Sequence, residues 1–554
     1  MNSHFHCRKI FSGGLAILPL ILYFLLPACD NPRSNKPVTS AKDTIPRNIE
    51  IAAASIAGNF SSQTRLKGDT ADWVNFFKKY SSLRSFEKNM LNFYRDRNFT
   101  FAWHDGNGMI EQAGNLYNRL QHLQQEGLPE KPPYLDVLDS LMSDATDEKD
   151  LKVQTETDVL LTGLYFYFAD KVWGGLDEKQ TRQINWYLPR KKVDYELWLD
   201  SLLQTPDAFA GPNEPVYRQY RLLKPFLDKY RKLSAQHNWE PIKTNKKSYK
   251  PGDSSAVLSE IRARLVELGD AQSNNNSSVF DEAMESAVKS FQRRFGMNDD
   301  GVIGAQMLRE LNVPLSERIQ QISVNLERSR WLPYEATGEY LAVNIPEFKL
   351  HAFNGDSLLW DMNVVVGKSV HKTVIFSGDL KYVVFSPYWN VPASILKNEV
   401  LPGIRRNKNY LANHHMEWNG NSVRQKPGPW NSLGQVKFLF PNSFSIYLHD
   451  TPSKSLFKED NRAFSHGCIR VAEPKKLAMF LLKNDANWNE TKIVNAMNSG
   501  KEQYVTLKQS VPVFIAYFTA WVGRDGNLNF RKDIYNRDTR LAEMIDEEII
   551  IGKK

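Results

Sequence analysis

Cysteine is nearly absent from this chain. Three occur in 554 residues, Cys7, Cys29 and Cys468, too few for a disulfide framework or a four-cysteine metal site. Charge of one sign is scarce as well: 71 Lys and Arg against 63 Asp and Glu leave +8. Without a long basic run this gives no reason to expect nucleic acid as a partner, and an anionic envelope polymer or an acidic soluble partner fits the balance as well. The first half shows no internal repeat and no glycine pattern of the nucleotide-binding kind. What is present is a globular composition, 42% apolar and 24% charged, in a chain too long for one core, which divides it into roughly three or four folding units.

One long apolar run does occur, at the start. Arg8 and Lys9 precede the run Ile10 to Ala28, which closes on Leu26-Pro27-Ala28-Cys29 and reads as an export signal over 1–28. The small residue before Cys29 resembles the bacterial lipobox, which implies acylation of Cys29 as the first mature residue; Pro27 departs from the usual small residue there. The alternative is an uncleaved anchor, because the run, at about 1.5 Å per residue, nearly spans a bilayer core of about 30 Å. In both readings the residues after 30 face outward. Cleavage removes Cys7 and lipidates Cys29, so Cys468 stays as a lone thiol in an oxidising compartment. Either it is a buried, inert hydrophobe or it has a task.

The expected architecture is multidomain α+β. Residues 29–65 are polar, contain prolines and read as a tether. Residues 66–250 form a helical scaffold domain, with runs such as DVLLTGLYFYFADKV (158–172) apolar on most faces, as in a buried helix. Residues 254–312 predict two amphipathic helices and a third short one, stopped at Gly269 and Gly296. Through Phe280-Asp281, Ala287-Val288, Phe291-Gln292, Gly296 and Asp300-Gly301-Val302-Ile303-Gly304 this unit resembles the three-helix peptidoglycan-binding module, a likeness that speaks to the fold more than to a ligand. After a linking helix over 317–331, residues 340–505 turn mainly β: YLAVNIPEFKLHAF, LLWDMNVVVG, KYVVFSPYWNV, VKFLFP and FSIYLHD are β-branched and aromatic and end at Gly, Pro or Asn-Gly. Within them, 393–434 reads as helix plus long loop, a capping insertion. Residues 506–554 are a C-terminal segment expected to pack on the catalytic and scaffold regions.

Chemistry concentrates in Tyr447-Leu448-His449-Asp450 and Ser465-His466-Gly467-Cys468-Ile469-Arg470-Val471. A thiol becomes nucleophilic as the thiolate, and an adjacent imidazole supplies it; a third group must orient that imidazole. His449 at a strand end fits the base, with Ser465 or Asp450 fixing its tautomer. Gly467 permits a close turn, so the Gly467 and Cys468 N–H groups are candidate oxyanion donors. A zinc site from His449, His466 and Cys468 competes, but no fourth ligand is evident and H-x-C brings two ligands unusually close. A core cysteine beside a satisfied histidine competes too.

The pattern H-x15-S-H-G-C resembles the YkuD-type catalytic domain of L,D-transpeptidases. The order of helical scaffold, peptidoglycan-binding-like module and capped catalytic domain is similar to the long, YcbB-like form of that family. FYRDRNFTFAW (93–103), VNLERSRWLP (324–333), VNIPEFKL (343–350), VFSPYWNVP (384–392), HDTPSK (449–454) and TAWVGRDGNLNFRKDIYNRD (519–538) extend the likeness over most of the mature chain. Arg470 departs from the Asn of many short members and is common in the long subgroup.

The resemblance implies Cys468 as nucleophile, His449 as base and Ser465 as orienter of His449, with His466 and Gly467 shaping the oxyanion loop. It implies substrate contacts for Arg470, Tyr447, Trp389 and Asp450; the competing role is an internal salt bridge for Arg470 and a packed aromatic for Tyr447 and Trp389. No metal or organic cofactor is implied. The implied reaction takes a tetrapeptide stem as donor, releases D-Ala, and passes the acyl group to the amine of a second stem as a 3→3 cross-link. Water as acceptor would give an L,D-carboxypeptidase, and a protein lysine an anchoring transpeptidase. A noncatalytic, lipid-tethered peptidoglycan-binding scaffold that recruits envelope synthases is the rival of another class. A papain-like protease is disfavoured, because there the cysteine precedes the histidine. The expected location is the periplasm of a Gram-negative-type envelope, lipid-anchored to the inner or outer membrane.

Overall fold

The computed structural model describes Lys67 and residues 72–552, apart from 106–107, 129–130, 145–149, 205–213 and 334–336. The export signal, Cys29 and the 29–65 tether lie outside the described residues. The scaffold domain is built around the helix Leu151–Phe168, capped by Asp150, whose carboxylate accepts from Lys152 N–H. From Thr155 onward every residue of this helix except Glu156 is buried, as its all-round apolar pattern predicts. The stretch 93–103 closes on it: buried Asp158 accepts from Ala102 N–H, from Trp103 N–H at 2.7 Å and from Tyr94 Oη at 2.6 Å, and lies 3.1 Å from His104 Nδ1. A short hairpin, β1 (His104–Asp105) and β2 (Gly108–Met109), follows.

The expected three-helix module is present as Ala256–Leu268, Glu282–Arg294 and Ala305–Leu311. Gly269 ends the first helix in the left-handed region at φ +93. The linking helix runs Leu315–Trp331 and is buried over most of its length, Arg328 and Arg330 included. Glu327 on it accepts from Leu176 N–H at 2.6 Å and Trp331 Nε1–H at 2.8 Å, and pairs with Arg330. Arg330 also donates Nε–H to the Val172 carbonyl and Nη2–H to the Glu126 carbonyl. Glu327 and Arg330 therefore tie this helix to the scaffold residues Glu126, Val172 and Leu176, while Arg328 Nε and Nη2 have no hydrogen-bond partner among the described residues.

The main sheet has strands β3 (Trp186–Tyr187), β4 (Glu339–Asn344), β5 (Lys349–Asn354), β6 (Ser357–Gly367), β7 (Ile375–Phe385), β11 (Val436–Leu439), β12 (Leu448–His449), β14 (Ile469–Val471) and β15 (Gln503–Ala516), with β13 (Ala463–Ser465) paired to β6. Their order is β11-β12-β14-β6-β5-β4-β15-β7-β3, and a further β11–β7 pairing closes the ladder on itself. Two points differ from the expected boundaries. The scaffold region donates β3, which runs parallel to β7. The strand β15 crosses the expected boundary at 505 and continues to Ala516 in the middle of the sheet, between β4 and β7. Pro512 interrupts the sequence signal there, and the ladder accommodates it beside a register shift between Thr506 and Val511.

The capping insertion also holds more than helix and loop. β8 (Trp389–Asn390), β10 (Ser422–Gln425) and β9 (Met416–Asn419) form a separate sheet, the last two joined through Gly420 at φ +61. Val391, Val400, Met416 and Val423 give the cap a small core of its own, against which Trp389 packs. After β15, the hairpin β16 (Ala520–Val522) and β17 (Leu528–Phe530) joins the core shared by scaffold and three-helix module. Arg294 donates to the Leu528 carbonyl, and the Arg531 side chain lies against Gly296.

Candidate active site

β12 and β14 run parallel with Leu448 opposite Ile469 and His449 opposite Arg470. Leu448 and Ile469 belong to the buried core. Side chains alternate along a strand, so Tyr447, His449 and Arg470 stand on the other face, with Cys468 ending the turn just before β14. The hydrogen bond from Ile469 N–H to the Tyr447 carbonyl, 3.1 Å, fixes this register at the thiol.

Cys468 is the free cysteine among the described residues and is partly buried. Its Sγ lies 3.7 Å from the Ser445 carbonyl, the acceptor of the thiol proton in this state. Burial pushes the thiol pKa above its ordinary value; the backbone N–H and hydroxyl of Tyr447 and the charge of Arg470 oppose this. The Tyr447 hydroxyl is held protonated, first by burial and then by the sulfur. His449 is 4% exposed. Burial, then the Arg470 charge, pushes its pKa down to about 3. The resting pair is accordingly a neutral thiol and a neutral imidazole, the form a general base needs before it takes a proton.

Of the two expected orienters of His449, Asp450 takes the role, through its backbone carbonyl rather than its carboxylate. His449 Nδ1 donates to that carbonyl, which leaves Nε2 unprotonated as the basic nitrogen. Ser465 does not reach the imidazole: its Oγ donates to the Cys468 carbonyl at 2.6 Å and accepts from Gly467 N–H at 3.2 Å. The expectation of two oxyanion donors is corrected with it, because Gly467 N–H is occupied. The Cys468 N–H, by contrast, takes no partner among the described residues. Gly467 is required in this turn, with φ +115.

Asp450 is corrected as a substrate contact. Its carboxylate is buried and accepts from Gln435 N–H at 2.9 Å, Thr451 N–H at 2.7 Å and Lys454; its role is to hold the loop whose carbonyl orients His449. Trp389 packs in the cap and forms no part of the thiol's surroundings that the bonds describe. His466 lies 3.4 Å from Glu399 of the cap, with its ring 5.0 Å from that of His371. Arg470 makes no ion pair among the described residues, and its buried Nε has no hydrogen-bond partner. The internal salt bridge weighed for it is absent from the described residues, and the guanidinium is left facing the thiol and His449.

Sequence reasoning missed Ser445 and Thr373. Ser445 carries a left-handed φ of +55 that no motif announced. Thr373, fully buried, accepts Gly367 N–H and donates to the Gly467 carbonyl, both at 2.9 Å. No group of three or more His, Cys, Asp or Glu suited to a metal occurs among the described residues.

Residues 338–494 match the family profile described as the L,D-transpeptidase catalytic domain (YkuD), residues 88–227 a "Scaffold domain", and residues 254–311 a "Putative peptidoglycan binding domain". A protein of Haemophilus influenzae named "Putative L,D-transpeptidase" is 34% identical over 247 residues, 41% of this chain. The match covers 50% of that relative, so the chain spans about half its length. A solved L,D-transpeptidase from Xylanimonas cellulosilytica is 14% identical, with 50% of this chain and 100% of that chain covered and a TM-score of 0.18. For one from Stackebrandtia nassauensis the values are 14%, 50%, 97% and 0.22.

Proposed function

We propose that this chain, which carries a YkuD-type L,D-transpeptidase catalytic domain beside a scaffold domain and a peptidoglycan-binding-like module, is a cysteine acyltransferase of peptidoglycan that forms 3→3 cross-links. The observation that carries the reading is the shared sheet face: thiol, base and an unpaired guanidinium converge where Cys468, His449 and Arg470 meet.

His449 Nε2 takes the thiol proton as Sγ attacks the carbonyl of the third residue of a tetrapeptide stem. The tetrahedral oxyanion is stabilised by Cys468 N–H, with the Tyr447 hydroxyl as a second donor on the same face. The imidazolium returns its proton to the leaving D-alanine nitrogen, and a thioester forms at Cys468. The side-chain amine of a second stem then attacks the thioester, His449 accepts the amine proton, and the thiol is restored. Arg470, with no carboxylate partner among the described residues, binds a stem carboxylate in this reading. The cap over the site limits water and favours amine as acceptor. Carbapenems, as carbonyl electrophiles, acylate the same sulfur. Lipidation of Cys29 and a periplasmic location complete the proposal.

Intact-protein mass spectrometry of wild type and Cys468→Ala tests it, after incubation with a carbapenem and separately with disaccharide-tetrapeptide. A wild-type-only adduct, with cross-linked dimer from the muropeptide, is the expected result. Tripeptide without dimer would make water the acceptor. A folded sample giving neither adduct nor product would overturn the acyl-transfer reading and leave a tethered binding scaffold.

A further inference from the structure

The two loops that form the nucleophile turn touch at their backbones. A Cβ on Gly367 would lie 2.0 Å from the His371 carbonyl and 3.1 Å from Gly467 Cα, so the approach needs glycine there. Such a contact leaves buried peptide groups to satisfy, and Thr373 satisfies two of them, Gly367 N–H and Gly467 C=O. Thr373 is itself held from far along the chain. Its N–H donates at 3.2 Å to the hydroxyl of Tyr535, and that hydroxyl donates to the Gly367 carbonyl.

Tyr535 is 1% exposed and lies in the C-terminal segment, beyond the residues matched by the catalytic-domain profile. It is anchored in turn. Its N–H donates to Tyr517 Oη at 2.9 Å, its ring stacks on Tyr517 at 5.6 Å, and its carbonyl accepts from Lys372 Nζ at 2.8 Å.

The direction of these bonds bears on chemistry. In a trans peptide the C=O of one residue and the N–H of the next point opposite ways. Thr373 draws the Gly467 carbonyl toward itself, so the Cys468 N–H must point the other way. Ser465 occupies Gly467 N–H and the Cys468 carbonyl, while the Cys468 N–H has no partner among the described residues. We infer that Tyr535, acting through Thr373, is a positioning residue that aims the Cys468 N–H at the oxyanion. The inference rests on the acyl-transfer reading for its reaction, and on the hydrogen bonds alone for its geometry.

The test separates two reactions of one sulfur. Attack on a carbonyl develops an oxyanion; displacement of iodide from iodoacetamide develops none. In the full chain, Tyr535→Phe and Thr373→Val are compared with wild type for acylation of Cys468 by a carbapenem and by p-nitrophenyl acetate, and for alkylation by iodoacetamide, all read as adduct mass against time. The expected result is a loss of roughly 10- to 100-fold in both acylations, the scale of a misplaced oxyanion donor, with alkylation within about threefold of wild type. Thr373→Ser, which keeps the hydroxyl, retains acylation. Tyr94→Phe, which removes a buried hydroxyl from the scaffold domain, lowers Tm without splitting the two reactions. Equal losses in acylation and alkylation, or no loss in either, would overturn the inference. If Tyr535→Phe does not fold, the Thr373→Val and Thr373→Ser pair decides by the same criterion. Wild type that reacts with p-nitrophenyl acetate but with neither carbapenem nor stem peptide would sink the functional reading while leaving the positioning test intact.

Discussion

Arg330 on the linking helix and Arg470 on the strand after the nucleophile turn each hold a buried Nε, and the fold treats the two oppositely. Arg330 is 1% exposed, and Nε, Nη1 and Nη2 each have a partner: the Val172 carbonyl, Glu327 and the Glu126 carbonyl. Arg470 has no carboxylate and an unpaired Nε among the described residues. Burying a charge is costly unless it is paired and hydrogen-bonded. The first arrangement meets that cost within the fold. The second leaves it open, and a substrate carboxylate would close it. An open Nε alone is no mark of a ligand site, since Arg328 on the linking helix also has unpaired Nε and Nη2 while pairing with Asp538; what sets Arg470 apart from Arg330 is the lack of a carboxylate partner among the described residues.

The comparison breaks most visibly at the saturated end. Glu327→Leu strands Arg330 and removes the acceptor for Leu176 N–H and Trp331 Nε1–H, so a loss of roughly 3–5 kcal/mol is expected. Urea unfolding measures it; a loss below about 1 kcal/mol would mean that the network is not what couples the linking helix to the scaffold.

His449 gives the next effect, and its sign follows from the direction of the shift. Its folded pKa, about 3, is depressed below the unfolded value near 6.5, so the unfolded chain binds the proton more readily between the two. Stability from this group is complete above about pH 6.5 and is lost as pH falls toward 3, on the order of 5 kcal/mol in all. Unfolding of wild type and His449→Gln from pH 7.5 to 4 should show the wild type losing more. Parallel curves would refute a depressed His449.

Arg470→Ala sharpens the contrast with Arg330. Because Arg470 satisfies nothing in the described fold, its removal should change stability by less than about 1 kcal/mol while raising KM for the tetrapeptide donor by roughly 10- to 100-fold, the worth of a charge-assisted carboxylate contact. A large stability loss with unchanged KM would place Arg470 with Arg330 as a structural cation.

How much of this was legible in sequence depends on the range over which each feature is specified. The nucleophile and base sit in one short pattern, H-x15-S-H-G-C, and the turn and sheet register place them on neighbouring strands. The helix 151–168 and the stop at Gly269 were legible because periodicity and a left-handed glycine act within a few residues. The cap's hairpin carried a local signal as well, Asn419-Gly420 between Met416 and Gln425, which the reading of 393–434 as helix plus loop passed over. The bond of the Ser465 hydroxyl to its own turn could not be read from spacing, since the pattern alone sets Ser465 near both that turn and His449. Tyr535 lies farther out of reach still: 168 positions separate it from Gly367, and only the packed sheet joins them.

The smallest expected effect lies at the cap. Glu399 and His466 are 3.4 Å apart, with side chains 56% and 41% exposed, and such a surface pair contributes at most about 1 kcal/mol. Burial lowers the His466 pKa against the pull of Glu399, and His371, Lys368 and Arg470 lower it further, so at pH 7.5 the imidazole is neutral and no ion pair holds the cap. Glu399→Gln should therefore leave Tm and acylation unchanged at pH 7.5. At lower pH, once His466 gains charge, the variant should differ from wild type in acylation rate by no more than about threefold. An effect above tenfold at pH 7.5 would show instead that the Glu399 carboxylate meets the substrate directly, and the unsaturated side of the comparison would then extend from the nucleophile turn into the cap.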